Sequence, residues 1–443
     1  MDEIYTMTAS ELKRALWDKQ FGVEELTRAY IERIKKYDGK LNTISEMDES
    51  AIAQAKRLDS TASKSDLPLF GLPILVKDNI DVAGLHTTAG SLALADNLVE
   101  KDAPIISNLR QSGAVILGKT NMTEFANYTT EDMPNGYSSK GGQVKNAYDE
   151  NKDPSGSSTG SAVAMSAGFC AASIGTDTSF SIVGCATENG VVGLKPSHGS
   201  LSSLGIIPIS HTLDSAGPFA GRLSDAILVY SGMKCEKLPT FTEINPRELK
   251  IGINTFDKDQ VSKEQLERYD TLFDALRTDG VEFTDVYHQK SPHMENIMKY
   301  EFKHDLEEYL SHSNARLKTL DNIVKFYEND PERMMKYGIL LLRSALDEAS
   351  GNLDDKLYLE ALSEREKHSE QMLKDLREYD ACVMTGPTDI MHFTGLPSVA
   401  LKLCMADDNT PRGIILYGAD EFRLFNAALT IEKYCLPVFP PSL

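Results

Sequence analysis

Two short, wholly apolar runs, LPILV at 72–76 and AVIL at 114–117, constrain the fold more than any other feature of the chain. Each is too short for a helix and too apolar for a strand with one wet face, so each predicts a strand buried on both sides. Residues 103–112, between them, read as a helix that stops at Gly113. Strand, helix and strand in that order predict an α/β domain around a sheet covered on both faces by helices.

The flanking regions read differently. Thr8, Ala9, Ser10 and Glu11 form a capping-box pattern ahead of Leu12, Ala15 and Leu16. Leu26, Tyr30, Ile34 and Tyr37 recur at helical spacing, and a third helix is predicted near 51–58. These helices should pack outside the larger domain. Further along, 159–172 predicts a helix of small residues and 190–194 a strand. A connector at 235–249 precedes a strand at 250–254 and a helix at 263–277. Residues 295–380 are charge-rich with few Gly or Pro and predict a helical subdomain, before strand and helix character returns at 413–417 and 422–434. The expected division is N-terminal helices over 1–64, a core over 65–233, a connector returning to the core over 234–294, a helical cover over 295–380 and a C-terminal return over 381–443.

Against 46 Lys and Arg stand 66 Asp and Glu, a formal charge of −20. A nucleic-acid partner is not expected, because counterion release needs clustered cations, and attachment to an anionic membrane is equally disfavoured. The N-terminus has no basic segment leading into an apolar one, and no run of 18 apolar residues occurs. Six cysteines form no CxxC pair and no Cys/His cluster. The expectation is a cytoplasmic protein with free thiols, no structural zinc or other metal, and no cofactor. Oligomeric state stays open, homo-oligomers included.

Two motif matches fail on context. GAVILGKT at 113–120 fits the phosphate-loop pattern, but its intervening residues want to be a strand and a helix precedes them. GSSTG at 156–160 fits a nucleophile elbow around Ser158, yet polar loop sequence stands where the elbow needs a strand. Around them runs a more informative series: Lys77-Asp78-Asn79, SGSSTGS at 155–161, GTDTSFSI at 175–182 and VVGLKP at 191–196.

In these four segments, in this order, the chain resembles the amidase signature family of serine hydrolases. GAVILGKTNMTEFA at 113–126 and GIIPISHTLDSAGPFAGRLSDA at 205–226 extend the resemblance. FKHDLEEYL at 302–310 and LKTLDNIVKF at 317–326 look most like its peptide-amidase branch. The resemblance implies the amidase signature fold, a large mixed sheet covered by helices on both faces with a helical subdomain in the C-terminal half. It also implies a Ser-Ser-Lys triad with Ser181 as nucleophile, Ser157 as bridging serine after a cis peptide bond, and Lys77 as base. The two serines are 24 residues apart, as in the family. Main-chain N–H groups of Thr178, Ser179, Phe180 and Ser181 become the oxyanion hole, and the substrate a small carboxamide or peptide amide. His198 and His211 take no part.

The chain departs from the family at Phe180, where glycine is usual, at Cys185, where proline is common, and at Thr159, which replaces a glycine. Either the backbone at Phe180 suits any residue, or the oxyanion hole is distorted. Two further readings follow: a glutamine-hydrolysing subunit of a tRNA-dependent amidotransferase, and a degenerate, non-catalytic binding protein motivated by Phe180.

Overall fold

The computed structural model describes residues 2–60 and 67–443, so the boundary expected at 64/65 lies outside them. Helix α1 (Ala9–Trp17) begins at the capping box, with Thr8 and Glu11 each accepting from the other's backbone N–H. Helix α2 (Val23–Leu41) buries Leu26, Tyr30 and Ile34. The region is not all helical as expected: β1 (Ile44–Met47) precedes α3 (Ala51–Asp59). Its sequence, ISEM, is half polar because it lies at the sheet edge, where burial is incomplete.

Strands β2 (Pro73–Lys77) and β3 (Val115–Thr120) are buried throughout, run parallel and flank α4 (Pro104–Gln111). Gly118 and Lys119 of the phosphate-loop pattern therefore lie inside a strand. A small hairpin, β4 (Tyr137–Ser138) with β5 (Gly142–Gln143), leads to α5 (Thr159–Ser166). The helix expected over 159–172 stops at Ser166, and β6 (Ala172–Asp177) is a buried strand that the sequence reads as helix end and turn. After it come α6 (Val183–Asn189), β7 (Val192–Lys195), β8 (Ser215–Ala220) and α7 (Leu223–Lys234).

Beyond the connector, β9 (Lys250–Asn254), α8 (Lys263–Thr278) and β10 (Glu282–Val286) restart the alternation. The charge-rich stretch forms α9 (Met294–His312), α10 (Leu320–Asn329), α11 (Pro331–Met334), α12 (Leu340–Glu348) and α13 (Lys356–Asp375). The chain closes with β11 (Ala381–Met384), α14 (Ile390–Phe393), β12 (Ser398–Met405), β13 (Pro411–Tyr417) and α15 (Glu421–Glu432).

Among the described residues eleven strands make one mixed sheet, ordered β1-β3-β2-β6-β8-β7-β12-β13-β11-β9-β10. Every residue of β2, β3, β6, β7 and β8 is buried, so helices and loops cover both faces there. The halves of the chain join where β12 pairs antiparallel with β7, Ser398 opposite Lys195. Phe302, Leu306 and Tyr327 of the C-terminal helices pack with Phe125 and Ile207, closing over the loops at the strand ends. Among the described residues no helix is long and apolar enough to cross a membrane.

Gly118 shows how tightly β1 lies on β3. Its φ is +152°, and a Cβ there would stand 2.2 Å from the Glu46 carbonyl oxygen. Gly118→Ala should therefore break the β1–β3 pairing and cost roughly 2–4 kcal/mol, read as a lowered urea midpoint.

Candidate active site

The site starts where β2 ends. Because β2 runs through the dry interior, the Lys77 side chain emerges fully buried. Its Nζ donates to Ser157 Oγ at 2.8 Å, and to the Thr176 hydroxyl and carbonyl on β6 at 2.9 and 3.2 Å. Ser157 lies on the polar loop ahead of α5, immediately after a cis Gly156–Ser157 bond. Only glycine fits before it, since a Cβ on Gly156 would stand 2.5 Å from Asn135 Oδ1 and 2.7 Å from Thr123 Oγ1. Ser157 donates to Ser181 Oγ twice, from its hydroxyl and its backbone N–H, at 3.1 Å each. Ser181 sits on the turn between β6 and α6 and is 5 % exposed, whereas Lys77 and Ser157 are at 0 %. The structure thus brings the three expected side chains into one continuous hydrogen-bonded chain.

The turn that carries Ser181 is braced by groups that the sequence reading leaves unassigned. Asp177 Oδ2 accepts from the N–H groups of Ile182 and Val183, at 2.7 and 3.2 Å. The Thr178 hydroxyl donates to Asp214 at 2.5 Å. Phe180 takes a φ of +64°, the left-handed region that favours glycine, so the backbone there does not suit any residue. Its N–H, expected among the oxyanion donors, goes instead to His392 Nε2 at 3.3 Å. Those of Thr178, Ser179 and Ser181 have no acceptor among the described residues. Ser158 is no elbow nucleophile: its hydroxyl donates to the Thr176 carbonyl at 2.9 Å and fastens the loop to β6.

The sequence also matches the family model described as Amidase over residues 25–394. The chain belongs to the amidase family. A probable amidase of Arabidopsis thaliana is 30% identical over 473 aligned residues, covering 99% of this chain and 92% of the relative. The A-type subunit of the glutamyl-tRNA(Gln) amidotransferase of Alkaliphilus metalliredigens is 38% identical over 259 residues, but that match spans 58% of this chain and about half (52%) of the relative. Among solved structures, the peptide amidase of Stenotrophomonas maltophilia superposes with a TM-score of 0.90 at 29% identity, covering 98% of both chains.

The amidase's electrostatics follow from burial. Loss of hydration holds the Lys77 ammonium down to about 8, with Cys185, Asp177 and Asp214 opposing the drop. Lys195, buried near Asp177, is held down to about 8 for the same reason. Burial alone would raise Asp177, but His392, Lys195 and the Ile182 N–H outweigh it and leave the carboxyl at about 2. Asp214 goes the other way: burial pushes it up to about 7, against hydrogen bonds from Thr178, Ser210 and Ile209.

Among the described residues of the amidase, His211, Glu301 and Asp305 bring potential metal-ligand atoms within 4.8 Å of one another. Their carboxylates are already engaged. Glu301 accepts from Ser210, Thr212 and Tyr358, and Asp305 accepts from the His211 backbone and contacts the His211 and His304 rings. The cluster reads as a brace for the loop before β8. His198 contacts the His211 carbonyl at 2.9 Å. A cavity of about 870 Å³ reaches Thr176 and Asp214, but Ser157 and Ser181 do not line it, so it is not assigned to the acyl group.

Lys77 carries a stability cost with a defined pH window. Its folded value, about 8, lies below the ordinary 10.5, so between those pH values the unfolded chain holds more protons. The penalty is complete below pH 8 and fades as pH rises towards 10.5. Lys77→Met should stabilise the fold by about 1–3 kcal/mol at pH 7, with the gain shrinking through that window, as measured by paired urea titrations.

Proposed function

We propose that this amidase hydrolyses the carbon–nitrogen bond of a small carboxamide or peptide amide through an acyl-enzyme on Ser181. The observation that carries the reading is the hydrogen-bonded run from a buried lysine through Ser157 to a slightly exposed Ser181. The likeness to a peptide amidase supports the substrate class.

A serine hydroxyl is a weak nucleophile until a base takes its proton. With Lys77 protonated, Nζ donates to Ser157 and Ser157 to Ser181. Once Lys77 is neutral the run reverses. Ser157 gives its proton to Nζ and takes that of Ser181, whose Oγ attacks the carbonyl carbon. The unclaimed N–H groups of the turn face the developing oxyanion, each such donor contributing about 3–4 kcal/mol. Collapse breaks the C–N bond while the proton returns along the same route to the departing nitrogen. Water, activated by the same relay, then releases the acid.

Ammonia or amine release across a panel of carboxamides and peptide amides tests this. Ser181→Ala should lower turnover by about 10⁴-fold or more, and Lys77→Ala comparably. Undiminished turnover in either variant refutes the assignment. Because only neutral Lys77 can act, kcat/KM should rise about tenfold per pH unit below about 8 and level off above it. A profile flat from pH 6 to 9 removes Lys77 as the base. Glutamine belongs in the panel, because the match to the amidotransferase favours a second reading in which it is the substrate and a protein partner raises the rate.

A further inference from the structure

We propose that His392 is a positioning residue that clamps the nucleophile turn, a task that a glycine at position 180 would make unnecessary. The inference rests on the hydrolytic reading above. Phe180, directly before Ser181, is held at φ +64°, which a bulky side chain resists. His392, on the short helix α14, meets it in two ways. Its Nε2 accepts the Phe180 N–H at 3.3 Å, and the two rings pack edge to face with centroids 4.5 Å apart.

Accepting that hydrogen bond requires a lone pair on Nε2, so the ring proton belongs on Nδ1. Nδ1 lies 3.1 Å from Asp177 Oδ1, a close approach off hydrogen-bond alignment; both side chains are fully buried, and neither atom has a hydrogen-bond partner among the described residues, so each is the nearest polar group left to the other. The other oxygen of Asp177 accepts from Ile182 and Val183, directly after Ser181. His392 and Asp177 together therefore grip the backbone on both sides of Ser181. The grip keeps the Phe180 N–H away from substrate and leaves the other N–H groups of the turn to meet the oxyanion.

The test measures kcat and KM on one carboxamide for wild type, His392→Leu, His392→Gln, Phe180→Gly and the Phe180→Gly/His392→Leu double variant, with Ser181→Ala as control. His392→Leu should lower kcat roughly 10–100-fold, as small misplacements of reacting groups do, with KM changed less than about threefold. His392→Gln, whose amide offers both an acceptor and a donor, should recover most of the loss. Glycine adopts the left-handed conformation without support, so Phe180→Gly should be at least about fivefold more favourable to kcat in the His392→Leu background than in wild type. Unchanged kcat in His392→Leu, strictly additive effects, or a loss that follows melting temperature and ignores the Gln variant overturns the clamp. ¹⁵N shifts of the wild-type ring should report the Nδ1–H tautomer, and an Nε2–H tautomer also overturns it. A wild type without turnover sinks the hydrolytic reading instead. In that case a crystal structure of His392→Leu decides: the clamp requires the turn to have left its φ near +64°, and an unmoved turn refutes it.

Discussion

A lysine kept in a dry interior without a carboxylate against it is the constraint around which the rest is arranged. Water-free surroundings disfavour the ammonium, and a protein usually answers with an ion pair. The neighbouring strand does so: Lys119, also fully buried, has Asp78 at 3.6 Å. Lys77 receives only neutral oxygens, from Ser157 and Thr176. Three hydrogen bonds tolerate the charge without fixing it, so the amine can lose its proton near neutral pH. Two buried lysines on adjacent strands thus differ by one partner: Asp78 stands against Lys119, and only hydroxyl and carbonyl oxygens against Lys77.

The carboxylates nearest to Lys77 are put to another use. Asp177 and Asp214 spend their lone pairs on backbone N–H groups and on the Thr178 hydroxyl, which shapes the turn carrying Ser181. They lie close enough to limit the fall in the Lys77 value but do not pair with it. Asp177 is itself steadied by Lys195, so the segments at 77, 157, 175–182 and 195 are mutually dependent parts of one charge arrangement. This is why they occur together in sequence, and why any one of them alone carries little information.

That dependence decides what could be read in the chain. Lys77 closes strand β2 while Ser157 and Ser181 stand on loops, and the three were legible only through the resemblance of the segments that carry them; the apolar strands β2 and β3 show in hydrophobicity alone. β6 and β8 do not, because their sequences, ASIGTD and SAGPFA, carry small residues for reasons of space. A Cβ on Gly175 would stand 2.7 Å from Ser158 Oγ, and one on Gly217 would stand 2.0 Å from the Leu194 carbonyl. Tertiary approach overrides strand propensity there, and a strand looks like a loop. β1 hides for a different reason, being a partly exposed edge. His392 has no local signal at all, since its partner Phe180 is 212 residues earlier.

Long-range pairing supplies what local sequence leaves out. β12 continues the sheet from β7, and the segment ahead of β12 carries α14. α14 is therefore held against the turn by the same ladder that extends the sheet, which gives the four-residue helix a rigidity it could not have alone. A phenylalanine at position 180 is tolerable only because this distant element reaches it. A glycine there would make the turn locally self-sufficient; here the C-terminal half supports that left-handed backbone. Phe180 thus marks where the geometry of the site came to depend on the whole sheet, and its presence does not by itself argue for a dead enzyme.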